Sequence, residues 1–322
     1  MPTTAADANA KIRFSVIVIH RNGADRLLGA LVSIFSAIDP SQDEVIVVDN
    51  HSTDDSLDVT CEQFPQLTVI RNSCNSGYAR ACNQGIKAGR GEIFVLCNND
   101  LVLPRDIFTH LASNFIEYPD AGLFAGQLLK PDGSLCRSGG NASGFLSELG
   151  FASRRRFDFS GDRPIQIGSA IGACLVARRS AILQAGSLDE DFFFYYEESE
   201  WCVRLQRHGW KIMLDPRIRI MHIGGASTRS FFYGSKIEFF RSRLLYWKKT
   251  LPPIARSCLI LWHVPKLLLD SLFYLLAVAL TCGLSRRLRY KLMDKAVVLL
   301  WLVVGRPSAW GLPDKCQKSG RN

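Results

Sequence analysis

The sequence predicts an α/β fold, a mostly parallel sheet with helices on both faces, followed by a helical tail of different character. Three observations carry that reading. Short β-branched runs alternate with segments of helical periodicity from Phe14 to Tyr118. Carboxylates and amides gather just after several of those runs, at the edge where parallel sheets hold ligands. The charge then changes along the chain: residues 1–240 hold 24 Lys and Arg against 27 Asp and Glu, whereas residues 241–322 hold 15 against 3.

Phe14–Ile19 is β-branched and bounded by polar residues, so it reads as a buried strand. The next segment, Gly23–Ile38, places Leu27, Leu31, Ile34 and Ile38 at helical spacing. Glu44–Val48 is a second strand closed by Asp49 and Asn50, and Thr53–Phe64 a helix with Asp54 and Asp55 suited to its first turn. A third strand is read at Leu67–Arg71 and a helix at Tyr78–Ala88. Glu92–Cys97 is a fourth strand running into Asn98-Asn99-Asp100, and Pro104 fits the start of another helix. Residues 126–166 read as a loop-rich insertion with a basic run, Arg154-Arg155-Arg156, which is either a solvated loop or a cover over an acceptor site. Gly168–Arg178 resumes the strand pattern, Ser180–Ala185 is a short helix, and the second half of Leu188–Trp210 is a helix that Gly209 closes, with Glu197 and Glu198 just before or at its N-terminus.

With 47% hydrophobic residues in 322, the chain can bury a sizeable core, which excludes a disordered or disulfide-stapled miniature. Its ten cysteines form no CxxC pair and no zinc-finger spacing with histidine. Several, such as Cys97 and Cys174, end or interrupt apolar runs and read as small buried hydrophobes, and the plain reading is a reduced, cytosolic compartment. Met1–Ala10 lacks the pattern of a signal peptide. The basic tail interleaves its charge with aliphatic runs, which suits an anionic membrane surface better than nucleic acid.

Asp100 offers a hard oxygen ligand for Mg²⁺ or Mn²⁺, an ion that takes few protein carboxylates and completes its shell with water and phosphate. Asn75-Ser76-Gly77 precedes a helix N-terminus, a setting that attracts phosphate. Glu197 and Glu198 follow five consecutive aromatics, Phe192–Tyr196, whose bulk would desolvate a carboxylate and raise its pKa. The helix N-terminus opposes that shift, and first-turn acids are ordinary in helices. His222 stands alone before Gly224-Gly225.

Seven segments in one order extend these separate hints: SVIVIHRNGADRL, VIVVDNHSTDDS, NSGYARACNQGI, FVLCNNDLVL, IGACLVARRSAI, LDEDFFFYYEESEWCVRLQRHGWKI and HIGGAS. Through them the chain resembles the family 2 inverting glycosyltransferases of the GT-A (Rossmann-like) fold, in their rhamnosyltransferase-like bacterial branch, over residues 15–227. The resemblance implies that Asp49 contacts the nucleobase of a nucleotide-sugar beside His20, and that Gly77 and Arg80 lie by its ribose and diphosphate. Asn98-Asn99-Asp100 stands where the family carries its Asp-x-Asp motif, leaving Asp100 as the carboxylate ligand and His222 as a late metal or diphosphate ligand. Glu198 matches the catalytic base, with Glu197 as fallback, in a segment where Glu replaces the commoner Asp. Trp201 replaces the commoner leucine as helix packing or an acceptor wall. The implied reaction is metal-dependent transfer of a sugar, such as L-rhamnose from dTDP-rhamnose, to a polyprenyl-diphosphate-linked saccharide. A UDP-sugar donor, or nucleotide binding without turnover, are the alternatives. A dehydrogenase is disfavoured because the first strand is followed by His20-Arg21-Asn22-Gly23 rather than GxGxxG.

The expected division is a nucleotide-sugar-binding catalytic domain at 1–230 and a membrane-associated helical tail at 231–322. Within the tail, the uncharged runs Ser257–Pro265, Ser271–Leu284 and Ala296–Gly305 each fall short of the ~20 residues a spanning helix needs. The expectation is therefore of short helices lying in the interface at the cytoplasmic face of the bacterial inner membrane, with a small soluble bundle as the alternative.

Overall fold

The computed structural model describes residues 13–151, 161–224 and 231–316; Arg154-Arg155-Arg156 lies outside them. The first half runs β1 (Phe14–His20), α1 (Ala24–Phe35), β2 (Asp43–Asp49), α2 (Ser56–Gln63), β3 (Thr68–Arg71), α3 (Tyr78–Ala88), β4 (Ile93–Asn98), β5 (Leu101–Val102), α4 (Ile107–Glu117) and β6 (Ala121–Leu129). The second half begins with β7 (Gly139–Gly140), α5 (Phe145–Leu149), β8 (Ile165–Ile167), β9 (Ser169–Ala170), β10 (Cys174–Arg178), α6 (Arg179–Ala185), α7 (Glu197–Arg207) and β11 (Lys211–His222). Three long helices follow: α8 (Phe232–Thr250), α9 (Pro253–Leu280) and α10 (Arg286–Val303).

The main sheet has the order β3-β2-β1-β4-β10-β6-β11-β5, with β8 also on β11. Its first four strands are parallel, as the repeated β-α pattern demands. Beyond them β10 runs antiparallel between β4 and β6, and β6 and β11 are again parallel. Alternate residues of β1 feed two cores. Val16 and Val18 pack with Leu27, Leu31, Phe108 and Leu111 from α1 and α4; Ile17 and Ile19 pack with Cys82, Ile182, Trp201 and Leu205 from α3, α6 and α7. Burial on both faces is why β1 reads as an unbroken apolar run rather than an alternation. Trp201 is fully buried and its indole N–H donates to the Gly186 carbonyl at 2.9 Å, so it packs the helix and walls no cleft.

The tail departs from expectation in one respect. The first two apolar runs join across Pro265 into a single 28-residue helix, α9, whose mean hydropathy reaches 1.5 over 18 residues. By length and composition α9 could cross a membrane. The charges that divide the runs in sequence do not end the helix, because Lys266 and Asp270 pair at i,i+4, 2.9 Å apart. Its outer face is exposed along Leu261, Leu268, Leu272, Phe273, Leu276 and Leu280. Helix α8 ties this tail to the sheet-bearing body: Tyr246 and Trp247 pack with Phe192, while Ile237 and Phe240 pack with Val298 and Trp301 of α10.

After α10 the chain returns to the sheet. Asn75 N–H donates to the Asp314 carbonyl at 3.0 Å, Cys316 N–H donates to the Asn75 carbonyl at 3.0 Å, and Cys74 and Cys316 form a disulfide. The reading of all ten cysteines as thiols is therefore corrected at this pair. Its members stand 242 residues apart, and sequence spacing carries no signal for such a partner.

Candidate active site

A cleft of about 530 Å³ opens at the carboxyl ends of β1 and β4. His20, Gly77, Asn98, Asn99, Asp100 and His222 line it, which brings together six of the ten residues singled out in the sequence. Asp49, Arg80, Glu197 and Glu198 stand outside its lining.

His20 ends β1 with its imidazole fully buried. The Asn99 side-chain amide lies 2.8 Å from its Nδ1, and Ser56 Oγ lies 2.7 Å from its Nε2. Because the amide of Asn99 donates to Nδ1, Nε2 carries the proton and donates a hydrogen bond to Ser56 Oγ, whose hydroxyl donates in turn to Asp54. Burial is the largest influence on this imidazole and lowers its pKa to about 4, against the pull of Asp49 and Asp54. His20 is thus a neutral strut that orients Asn99.

Asn50, read in the sequence as one of the polar strand ends on the ligand edge, organises the Asn75–Gly77 turn. Its amide donates to Asn75 Oδ1 at 2.9 Å and to the Gly77 carbonyl at 3.2 Å. Its carbonyl oxygen accepts from the Ser76 backbone at 2.8 Å and the Ser76 hydroxyl at 2.9 Å. Gly77 has φ +85°, and a Cβ there would stand 2.6 Å from the Phe193 carbonyl oxygen, so only glycine fits. Asp49 lies one residue before Asn50, buried, and accepts hydrogen bonds from the backbone and hydroxyl of Ser52. Arg80 is half exposed and pairs with Glu190 at 3.1 Å.

Asp100 follows β4 and meets His222 at the end of β11, where β5 and β11 pair antiparallel. The nearest approach is 3.4 Å, from His222 Nε2 to Asp100 Oδ1. Oδ2 accepts from the Gly224 N–H at 3.1 Å, while buried Oδ1 takes no hydrogen bond. An orphaned carboxylate oxygen beside an imidazole fits a divalent cation, with phosphate and water completing the shell. Among the described residues no cluster of three or more His, Cys, Asp or Glu forms a closed metal cage, so an ion here would be shared with its ligand.

Glu197 and Glu198 open α7, as expected. Tyr195 and Tyr196, just before them, both adopt left-handed backbone, φ +72° and +67°. Glu198 stands against Gly172, where a Cβ would lie 3.5 Å from its Cγ. The Gly172 carbonyl accepts from the hydroxyl of cleft-lining Tyr78 at 2.7 Å, and the next carbonyl, of Ala173, accepts from Asn98 N–H at 3.0 Å. Burial raises the Glu198 pKa to about 7 despite hydrogen bonds from the helix start. Glu197 is more deeply buried, with Oε2 unpartnered; burial and then the neighbouring charge of Glu198 push its carboxyl well above the usual range.

Residues 15–183 match the sequence model of a family described as glycosyl transferase family 2. The chain belongs to that family. Among curated relatives of this family 2 glycosyltransferase, the N-acetylglucosaminyl-diphospho-decaprenol L-rhamnosyltransferase of Mycobacterium tuberculosis is 27% identical over 210 residues, covering 57% of this chain and 67% of that protein. The low-salt glycan biosynthesis hexosyltransferase Agl10 of Haloferax volcanii is 30% identical over 183 residues, 52% of this chain and 55% of that one. In fold, the family 2 chain is similar to the mannosyltransferase PcManGT from Pyrobaculum calidifontis in complex with GDP-Man and Mn²⁺, with TM-score 0.57 and 19% identity over 93% of this chain and 88% of that chain. This is the GT-A fold that the sequence motifs imply.

The cleft also has walls to which the motifs give no role. Phe193, Phe194 and Tyr195 form one side, and Phe231 and Leu312 reach in from the tail. The aromatic run is visible in the sequence; the arrival of Leu312 is not, because nothing local marks it.

Proposed function

We propose that the chain moves a sugar from a nucleotide-sugar to a hydroxyl of a polyprenyl-diphosphate-linked glycan by one inverting displacement, with dTDP-L-rhamnose the first donor to test. The observation that carries the reading is the convergence of Asp100, His222 and the Asn50–Gly77 turn in one cleft. The relative from Mycobacterium tuberculosis supports both the sugar and the lipid-linked acceptor.

In this reading the Asn50 network holds the Gly77 turn open toward the donor diphosphate, and Asn99, oriented by His20, lines the same wall. Asp100 and His222 would hold Mg²⁺ or Mn²⁺. That ion, when bound, supplies positive charge to the diphosphate as it leaves. The acceptor oxygen attacks the anomeric carbon, the bond to the diphosphate oxygen breaks with its electron pair, and Glu198 takes the hydroxyl proton. A carboxylate titrating near pH 7 suits that task. Glu197 is the alternative base.

We further propose that the tail docks on the cytoplasmic face of the bacterial inner membrane. The apolar outer faces of α9 and α10 support this, and so does the packing of their inner faces on α8, which leaves α9 only one side to offer lipid.

The test is nucleotide release by purified full chain with Mg²⁺ or Mn²⁺, a panel of dTDP- and UDP-sugars, and lipid-linked acceptor. Metal-dependent release from one donor, abolished in Glu198→Gln, is expected. Failure of any nucleotide to bind would leave a non-catalytic role.

A further inference from the structure

A second cavity, of about 540 Å³, lies between the catalytic body and the tail helices α8, α9 and α10. Tyr195 lines both this cavity and the donor cleft, so the two adjoin at this residue. Its position is fixed at a cost. Tyr195 and Tyr196 both hold the left-handed backbone that side chains other than glycine's disfavour. Their rings pack on Phe239, with centroids 5.5 Å and 5.2 Å away.

The second cavity is amphipathic. Lys236, Arg243, Lys266 and Lys295 line it against only three carboxylates, Glu148, Asp270 and Asp294. Lys236 and Lys295 share one of these, Asp294, at 2.9 Å and 3.3 Å. Arg243 pairs with Glu148 at 2.5 Å and also reaches His263 Nε2 at 2.8 Å. Two ammonium groups on a single carboxylate keep donors available to an anion entering between them. The remaining wall is apolar, with half-exposed Trp262 on α9 beside it. From there the exposed leucines of α9 continue outward.

We propose that this cavity binds the phosphate-bearing headgroup of a lipid, with Lys236 and Lys295 on the phosphate and the hydrocarbon chain along α9. The assignment rests on the proposed sugar transfer, whose acceptor must reach the donor cleft from an adjoining site, and it gives that acceptor an entrance past Tyr195. An anion between Lys236 and Lys295, its apolar chain laid on an exposed apolar helix, meets both halves of its chemistry at one place.

The test is equilibrium binding to the full chain in detergent by calorimetry. Farnesyl diphosphate, farnesol and inorganic pyrophosphate are titrated in EDTA, and dTDP is titrated separately with Mn²⁺. Wild type should bind farnesyl diphosphate at least tenfold more tightly than either farnesol or pyrophosphate. K236E/K295E should lose at least tenfold in farnesyl diphosphate affinity and keep dTDP affinity within twofold, which also shows that the variant is folded. If the double reversal fails to fold, K295Q should lose about threefold. Equal farnesyl diphosphate binding by wild type and folded variant, or its displacement by dTDP with Mn²⁺, would overturn the assignment. Pyrophosphate binding as tightly as farnesyl diphosphate would replace the lipid with a free diphosphate, and farnesol binding as tightly would remove the phosphate from the recognition. Loss of dTDP binding in wild type would sink the donor reading alone, because the lipid titrations do not depend on it.

Discussion

Asp100 and His222 face each other across the junction of β5 and β11, with His222 Nε2 3.4 Å from an Asp100 oxygen that accepts no hydrogen bond. The backbone fixes both. Ile223 N–H donates to the Asp100 carbonyl at 3.0 Å, and Gly224 N–H donates to the other carboxylate oxygen. A carboxylate held on one oxygen and left open on the other has the free donor that the proposed cation would need.

Asp100→Asn preserves the shape of that pair and removes its charge. Nucleoside diphosphate affinity measured with Mn²⁺ should fall at least about tenfold, roughly 1.4 kcal/mol, while affinity in EDTA stays the same. His222→Ala should act in the same direction. Undiminished Mn²⁺ dependence in Asp100→Asn would remove the carboxylate from the ligand set.

The pKa of Glu198 sets a pH profile. A base must be ionised to accept the acceptor proton, so kcat/KM should rise about tenfold per pH unit toward pH 7 and level off above it. Glu198→Gln should lose about 10²–10⁴-fold in kcat at little cost in donor KM. A profile unmoved by Glu198→Asp and Glu198→Gln, but altered in Glu197→Gln, would transfer the role to Glu197.

Two buried groups give stability opposite slopes in pH. Unfolded histidine binds a proton below about pH 6.5, whereas folded His20 resists until about pH 4, so its contribution to stability is lost as pH falls through that window. Unfolded Glu ionises near pH 4.5 and folded Glu198 near 7, so its contribution is lost as pH rises between them. Denaturant unfolding of His20→Gln and Glu198→Gln at pH 4.5, 6 and 8 separates the two. Each variant should flatten its own slope and leave the other intact.

Gly77→Ala places a methyl group 2.6 Å from the Phe193 carbonyl oxygen at a backbone angle that alanine disfavours. A loss of about 1–3 kcal/mol and weaker donor binding are expected from thermal unfolding and titration. An unchanged Tm would mean that the turn relaxes freely.

The parallel half of the sheet was legible because β1, β2 and β4 are buried on both faces and so concentrate β-branched residues. The tips carrying His20 and Asn98–Asp100 were legible as breaks in those runs. Arg80 was harder: two residues beyond Tyr78 on α3 is more than half a turn, so when Tyr78 lines the cleft Arg80 faces away, toward Glu190. Asn50 was legible as a polar strand end on the ligand edge but not as the organiser of the Asn75–Gly77 turn, since an amide looks alike whether it closes a turn or organises one. The continuity of α9 was hidden by charges that pair along the helix, and Leu312 by its arrival from the far end of the chain.

The return of residues 312–316 to the loop after β3 bears on how the molecule can be divided and made. With Cys74 joined to Cys316, Arg21 paired to Asp314, and Phe231 and Leu312 walling the cleft, a fragment ending at residue 230 holds every strand of the sheet and lacks part of the cleft wall. During synthesis the sheet can assemble early, but the cleft acquires its last wall only when residue 312 has emerged from the ribosome and the tail helices have folded back. A chain whose tail helices had not settled, on a membrane or on each other, would carry an unfinished cleft.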